Sequence, residues 1–298
     1  MTKRIGLIVN PTSGKGRGAA IGAEVAARLA ADGHEVIDLS DDTAATARDR
    51  GLAGIASGLD VLAVTGGDGM TNLGVNLCAG TATVLAIIAA GTGNDIARAL
   101  GLPVHDALAA AEVIAGGTVR TIDAGRHTDA AGVPHWFAGV LGAGFDSVVN
   151  ERANTWLWPR GRMRYNLAIA RELPVFKPIP YVIEVDGVRH STQAMLVAVA
   201  NGPSYGGGML VCPDADFEDG MFDILIVHKI STIEFLKVFP KVFRGEHVGH
   251  SAVEILRGEE VRLEATGIVS YADGERFAAL PMSCVNVPGA LNVIVPNP

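Results

Sequence analysis

Cysteine is scarce in this 298-residue chain: Cys78, Cys212 and Cys284 are odd in number, far apart, and form no C-x-x-C pair. That argues against a disulfide framework or a zinc ribbon and suits a reducing compartment. Basic residues are in deficit, 24 Lys and Arg against 32 Asp and Glu, so the net charge is −8. A field of that sign repels phosphodiester backbones, which makes a nucleic-acid partner a poor expectation. Long apolar runs are missing as well. The longest, Ala82 to Ala90, is interrupted by Thr83 and bounded by Gly80 and Gly91, far short of the ~20 residues of a membrane helix. Met1 to Val9 carries two basic residues, but Asn10-Pro11 cuts its apolar run, so a first strand is expected there and not a signal peptide. Lipid contact, if any, is expected to be peripheral. What the chain does hold is apolar mass: 49% hydrophobic residues against 19% charged, enough for a sizeable core in one large or two ordinary domains.

Short apolar runs alternate with alanine-rich stretches of helical period through the first 125 residues. Ile5–Val9, Glu35–Leu39, Val61–Val64 and Val84–Ile88 read as buried strands. Ala19–Ala31, Thr43–Ser57, Met70–Cys78 and Asp106–Ala115 read as helices between them. This is the pattern of an open α/β sheet, whose ligands gather at the carboxyl ends of the strands. Beyond Asp123 the texture changes. Val182–Val185 and Gln193–Ala200 flank Asp186-Gly187, a type I′ hairpin signal. Phe222–Val227, Glu260–Leu263, Ile268–Tyr271 and Val285–Val295 continue as β-like runs. Ser231-Thr-Ile-Glu234 is a capping box opening a helix with Phe235, Phe239 and Phe243 on one face, which Pro240 should bend. The division expected is an α/β domain over 1–125 and an antiparallel β-rich domain over 126–287, with a last strand near 288–298 returning to the first.

Four glycine-rich segments carry the chemistry. Asn10-Pro-Thr-Ser-Gly-Lys-Gly-Arg-Gly18 follows the first strand and opens a helix, a backbone suited to an anion. It is no Walker A loop, since Gly16 follows Lys15. Gly14-x-Gly16-x-x-Ala19 matches a dinucleotide fingerprint with Asp38 downstream, although Asn-Pro-Thr-Ser lengthens a turn that should be tight. Thr65-Gly-Gly-Asp-Gly-Met70, Gly91-Thr-Gly-Asn-Asp95 and Asp123-Ala-Gly125 then recur at near-equal intervals. Successive βα units would bring Asp68, Asp95 and Asp123 to one rim, where carboxylates beside a phosphate call for Mg²⁺ between them. Each aspartate also suits a plain helix cap.

In this order Asn-Pro-x-Ser-Gly, Gly-Gly-Asp-Gly, Gly-Thr-Gly-Asn-Asp and Asp-x-Gly resemble the diacylglycerol kinase catalytic family. Its relatives include sphingosine kinases and, more distantly, NAD kinases and phosphofructokinases. Gly142-Ala-Gly-Phe-Asp146, Tyr205-Gly-Gly-Gly-Met209, Cys212-Pro-Asp-Ala215, Asp219-Gly220 and Ala272-Asp-Gly-Glu275 look like its later landmarks. Arg162-Met-Arg-Tyr165 looks closest to the actinobacterial members. The resemblance implies a Rossmann-like, NAD kinase/phosphofructokinase-like first domain and transfer of phosphate from ATP to a lipid hydroxyl. It implies ATP at Asn10, Pro11, Thr12, Ser13 and Gly14, at Gly67, Asp68, Gly69, Met70, Thr71, Asn72 and Leu73, and at Thr92. It implies an aspartate–water–Mg²⁺ network on Asp68, Asp95 and Asp123, and Glu275 as proton acceptor. A structural Mg²⁺ is implied at Asp216, Asp219 and Met221. Met70 stands where Thr or Ser is usual, and Leu73 where Glu is common.

Lys15 and Arg17 could neutralise phosphates, although Arg17 reads better as a solvated helix start. The G-x-S-x-G match at Gly202–Gly206 lacks a following helix, His247-x-x-His250 lacks a third ligand, and Cys212 reads as a small buried hydrophobe. One basic island interrupts the acidic chain: five arginines and no acids from Arg152 to Arg171, with Trp156, Trp158 and Tyr165 among them. Arginine beside interfacial aromatics suits an anionic bilayer. The Phe235–Arg244 helix is a second candidate, read in preference as core-facing. The expectation is a cytoplasmic kinase peripheral to the inner membrane face that turns diacylglycerol and ATP into phosphatidate and ADP. A kinase of a sphingoid base, phosphatidylglycerol or monoacylglycerol, an NAD-kinase-like enzyme with a soluble acceptor, and a non-catalytic nucleotide- or lipid-binding protein are the alternatives. Its partners would be ATP, Mg²⁺ and a lipid acceptor; a homodimer is admitted but specified by no segment.

Overall fold

The protein is described from a computed structural model covering residues 2–156, 158, 162–172 and 175–297. Valine, isoleucine and leucine dominate β1 (Arg4–Val9), β3 (Val61–Gly66) and β4 (Val84–Ala89), with β2 (Glu35–Asp38) at the edge. They pair in parallel in the order β2-β1-β3-β4. Parallel strands need crossovers that cover both faces. On one face, helices Gly18–Ala31 and Ala107–Gly116 pack around Ile5, Leu7, Val25, Leu29 and Ala111. On the other, Ala44–Ala56 and Asp68–Cys78 pack around Ile8, Leu62, Val64, Val75 and Leu85. Thr43 and Asp106 cap two of these helices by accepting the amides of Thr46 and Ala109.

The later strands are β5 (Thr118–Thr128), β6 (Pro134–Phe137), β7 (Val140–Gly144), β8 (Ile179–Val185), β9 (Val188–Ala200), β10 (Phe222–His228) and β11 (Val253–Gly258). β12 (Glu260–Glu264), β13 (Val269–Ala272), β14 (Glu275–Ala279) and β15 (Met282–Val295) complete them. All pair antiparallel except where β15 reaches β4, with Val293 beside Leu85. β15 pairs β12 at its start and β5 along its length, so both halves share one 15-stranded sheet. The expected boundary after residue 125 falls inside β5. The Asp186-Gly187 turn joins β8 to β9, both residues at positive φ as a type I′ turn requires.

The sequence pattern misses β5, β6, β7, β11 and β14. β5 mixes Arg120, Asp123, Arg126 and His127 with its apolar residues and has no alternation to find. The capping box at Ser231 forms on one side only: its Oγ accepts the Glu234 amide, while the Glu234 carboxylate meets His250. The helix it opens stops at Val238, and Phe239–Arg244 continues as a 3₁₀ turn with Pro240 near its start, which is the bend expected there. Among the described residues, no helix is long and apolar enough to cross a membrane.

Candidate active site

Three turns at the carboxyl ends of β1, β3 and β4 meet side by side. The Asn10 amide donates to Thr65 O, and the Asn10 Oδ1 accepts from both the amide and the hydroxyl of Thr12. Ser13 Oγ donates back to Asn10 O, closing the first turn on itself. The second turn runs into helix Asp68–Cys78, and the third is held by Asn94, whose side chain bonds both the amide and the carbonyl of Gly91. Close approach explains the glycines here. A Cβ on Gly93 would sit 2.1 Å from Asp68 Oδ2, and one on Gly69 would sit 2.6 Å from Glu275 Oε1.

The three aspartates do not share one cluster. Asp68 accepts the amides of Asn94 (3.1 Å) and Asp95 (2.8 Å), so it caps the short helix Asp95–Ala99 and also faces the cleft. Asp95 reaches across to the β-rich part and accepts the amides of Gly207 (2.8 Å) and Gly208 (2.6 Å). Burial raises its carboxyl above the usual range; the Asp68 charge adds to this, and Arg98 and the two amides oppose it. Asp123 is buried elsewhere, on the amides of Gly220 (2.7 Å) and Gly289 (2.8 Å), and does not line the cleft. Cap and site are therefore not exclusive readings for Asp68, whereas the Asp123 carboxylate ties β5 to the Asp219-Gly220 loop and to β15.

Opposite Asp68 stands the turn between β13 and β14. Asp273, with φ +50°, buries its carboxylate on the amides of Ala138, Gly139 and Val140. Burial nevertheless pushes its pKa up to about 6. This anchor fixes Glu275, whose carboxyl lies over Gly69 and makes no hydrogen bond or ion pair among the described residues. Part of the Glu275 side chain is open to solvent, yet the protein enclosing its carboxyl raises the pKa above the usual glutamate range. The cleft bounded by Asp68, Thr92, Asp95, Tyr205 and Asp273 holds about 530 Å³, within the ~300–1,000 Å³ of small-ligand sites.

A second cavity adjoins it. Met195, Leu196, Met209 and Leu225 from the β-rich part and Phe235, Val238, Phe239 and Val242 from the 232–244 segment line it almost wholly with apolar groups. Tyr205 lines both cavities, and its hydroxyl donates to Asp146 Oδ2 at 3.3 Å. Burial raises the Asp146 carboxyl to about 6. Tyr205 thus stands between a polar cleft of about 530 Å³ and an apolar cavity of about 80 Å³.

The remaining expected residues sit as follows. Met70 and Leu73 pack against the core of the α/β half, Thr71 is buried with its hydroxyl on Gly67 O, and Asn72 accepts from Asn76. Arg17 Nε and Arg98 Nε bond the carbonyls of Gly14 and Gly93, so both cations stand at the turn edges. The Asp216–Met221 loop meets its own donors: Arg257 and the Met221 amide occupy Asp219, and Asn286 donates to Met221 O. Asp216 of that loop accepts the Glu218 amide on one oxygen and has no partner on the other among the described residues. Among the described residues no three His, Cys, Asp or Glu side chains group as a metal site. Asp68 does suit Mg²⁺, which takes one or two carboxylates plus phosphate and water, because each of its oxygens keeps a lone pair beyond its one amide. Of the basic island, Arg152 pairs with Glu172 and Trp158 is exposed; positions 157 and 159–161 lie outside the described residues. His247 is buried on Val211 O, and all three cysteines are buried and unpaired. Sequence reasoning passed over Asp273, Tyr205 and Asp146 as site residues, although each sits inside a glycine-flanked segment that it had marked.

Residues 4–127 match the diacylglycerol kinase catalytic domain, and 139–295 the YegS C-terminal NAD kinase beta sandwich-like domain. The chain is 40% identical over 295 residues to a diacylglycerol kinase of Mycobacterium tuberculosis, covering 99% of this chain and 96% of that protein. Against a diacylglycerol kinase of Bacillus subtilis the figure is 31% over 304 residues, covering 99% and 97%. A crystal structure of a diacylglycerol kinase from Bacillus anthracis superposes with TM-score 0.76 at 23% identity, over 99% of this chain and 97% of that one. The fold extends to an NAD kinase from Archaeoglobus fulgidus solved with ATP, at TM-score 0.53 and 12% identity over 97% and 93%. With matches spanning both halves in order, the chain belongs to the diacylglycerol kinase catalytic family.

Proposed function

We propose that the protein transfers the γ-phosphoryl group of ATP to the free hydroxyl of diacylglycerol, giving phosphatidate and ADP. One observation carries this: beside an acidic cleft the Glu275 carboxyl, without a hydrogen bond or ion pair among the described residues, lies over Gly69, and Tyr205 stands between that cleft and an apolar cavity. Phosphoryl transfer needs positioning and charge neutralisation more than covalent catalysis. The Asn10–Gly14 turn, the Gly67–Leu73 segment and Thr92 take the nucleotide, with Lys15, Arg17 and Arg98 near its phosphates. Glu275 accepts the hydroxyl proton as the new O–P bond forms and ADP departs with the electrons of the old one. Its raised pKa makes it a better base than an ordinary glutamate. Mg²⁺, held at Asp68 with Asp95 beside it, would neutralise phosphate charge. Asp123 positions the loops around the cleft and stays out of contact with substrate in this reading.

The acceptor's hydroxyl belongs near Tyr205 and the start of an acyl tail at the apolar cavity, whose volume of about 80 Å³ takes only part of a tail. A soluble dinucleotide acceptor, as in an NAD kinase, would leave that chamber without a use. The reading places the protein in the cytoplasm at the inner membrane face, with the Arg152–Arg171 island towards lipid; unpaired buried cysteines are in keeping with that. Incubation with labelled ATP, Mg²⁺ and micelles of diacylglycerol, monoacylglycerol, sphingosine or phosphatidylglycerol tests it, with NAD run in water. Label in phosphatidate is the expected result. Label in another lipid corrects the acceptor, and label in the NAD product or in nothing overturns the proposal.

A further inference from the structure

The segment from Thr232 to Arg244 is apolar on both faces, which a helix lying between core and water does not require. Its inner face walls the apolar chamber with Phe235, Val238, Phe239 and Val242. Its outer face presents Ile233 and Leu236, 70% and 58% exposed, with Phe243 following at 46%. Next to it, Phe235 packs on Phe145, and Phe145 on Phe176. Through that contact the neighbouring stretch adds exposed Met163, Leu167 and Val175. Among the described residues, six exposed apolar side chains thus lie on stretches joined by the Phe235–Phe145–Phe176 contacts and beside the apolar cavity.

Cations outnumber acids on this surface. Lys229, Lys237, Lys241 and Arg244 are exposed along the segment. Its two acids are engaged, Glu234 with His250 at 3.3 Å and Glu246 with Arg244 at 3.1 Å. The three lysines make no ion pair among the described residues, in a chain whose net charge is −8. A second copy docked through this face about a two-fold axis would set lysines against lysines. An anionic bilayer offers the opposite: acyl chains for the apolar residues and phosphates for the lysines.

We infer that Thr232–Arg244 is the bilayer-docking element: Ile233, Leu236 and Phe243 enter the acyl layer of an anionic phospholipid surface, and Lys237 and Lys241 meet its headgroups. The choice of a bilayer as the occupant rests on the lipid-kinase reading. Docking would press the outer wall of the chamber against the phase that holds the acceptor.

Binding is measured without ATP, by co-sedimentation of the full chain with phosphatidylcholine vesicles with and without phosphatidylglycerol. Wild type should sediment with the anionic vesicles and release as salt rises. Ile233→Ser with Leu236→Ser should weaken partition by about tenfold or more. Lys237→Glu with Lys241→Glu should weaken it similarly at low salt and flatten the salt dependence. A polarity-sensitive fluorophore on Leu236→Cys should shift to the blue on these vesicles; the native cysteines, being buried, are poor labelling competitors. Turnover of a short-chain diacylglycerol kept below its micelle-forming concentration should stay near wild type in both double variants, which shows that they fold. Unchanged partition in the serine variant, or a label that stays in water, overturns the inference. So does a concentration-dependent dimer that the serine pair abolishes, because the face would then belong to a second copy. Vesicle binding without phosphate transfer to any lipid would defeat the lipid-kinase reading and leave the docking element standing.

Discussion

The two adjoining cavities are built in opposite ways. The cleft is assembled from backbone: Asp68, Asp95 and Asp273 each accept two or three amides from another segment, and glycine admits them. The chamber is assembled from side chains standing on β9, β10 and the 232–244 segment, with Asp146 and Tyr205 at its polar end. Backbone amides hold a carboxylate in one place and tolerate little change in it. Apolar side chains can be exchanged at modest cost if volume is kept. In the proposed reaction the first arrangement suits fixed chemistry, and the second suits an adjustable acceptor.

That contrast predicts a graded series of effects. Glu275→Gln should lower kcat by about 10²–10⁴-fold with thermal stability unchanged, because the side chain has no partner to lose among the described residues. In wild type the rate should fall on acidification at a higher pH than an ordinary glutamate would give, since the raised pKa protonates the base earlier. The Gln variant's residual rate should show no such limb; a limb that persists would remove Glu275 as the base. Asp68→Asn should cost about 10²–10³-fold in kcat and also lower the melting temperature, since the Asn94 and Asp95 N–H groups go to different carboxylate oxygens and the amide NH₂ that replaces one of them cannot accept. Asp95→Asn should act mainly on stability, by about 1–3 kcal/mol in chemical denaturation, through its bonds to Gly207 and Gly208. A stability loss as small as that of Glu275→Gln would erase the distinction between held and free carboxylates.

On the chamber side, Val238→Phe should shift acyl-length preference by roughly tenfold and leave the KM for ATP alone. A changed ATP KM would mean that the cavities are not separable. The smallest effect is expected at Asp146. Its folded pKa of about 6 lies above the usual 3.8, so its stabilising share is complete below pH 3.8 and is lost as pH rises through 6. Asp146→Asn should therefore raise the melting temperature by a few degrees at pH 8 and give no gain at pH 4.

Much of the cleft was legible because its chemistry is local. Gly-Gly-Asp-Gly and Gly-Thr-Gly-Asn-Asp carry their own conformational requirement, and a carboxylate flanked by glycines at a strand end marks itself. Asp273 escaped because its partners, Ala138 to Val140, lie more than a hundred residues away. Asp123 joins the trio on spacing and on the family resemblance, but neither fixes the amides that its side chain meets. The 232–244 segment was read as core-facing from its phenylalanines. Its inner face does line a cavity, yet Ile233 and Leu236 point outward, and helical period cannot reveal that both sides of a helix are apolar for different reasons.

The sequence by itself determined the alternating βα order, the glycine turns and the family, since backbone conformation and short-range periodicity are written in adjacent residues. Only the tertiary structure decided which carboxylates are bound by amides and which has no partner among the described residues, that one strand joins both halves in a single sheet, and that Tyr205 stands between a polar cleft and an apolar cavity. Those depend on contacts between residues distant along the chain, whose strength comes from burial and geometry that no local pattern records.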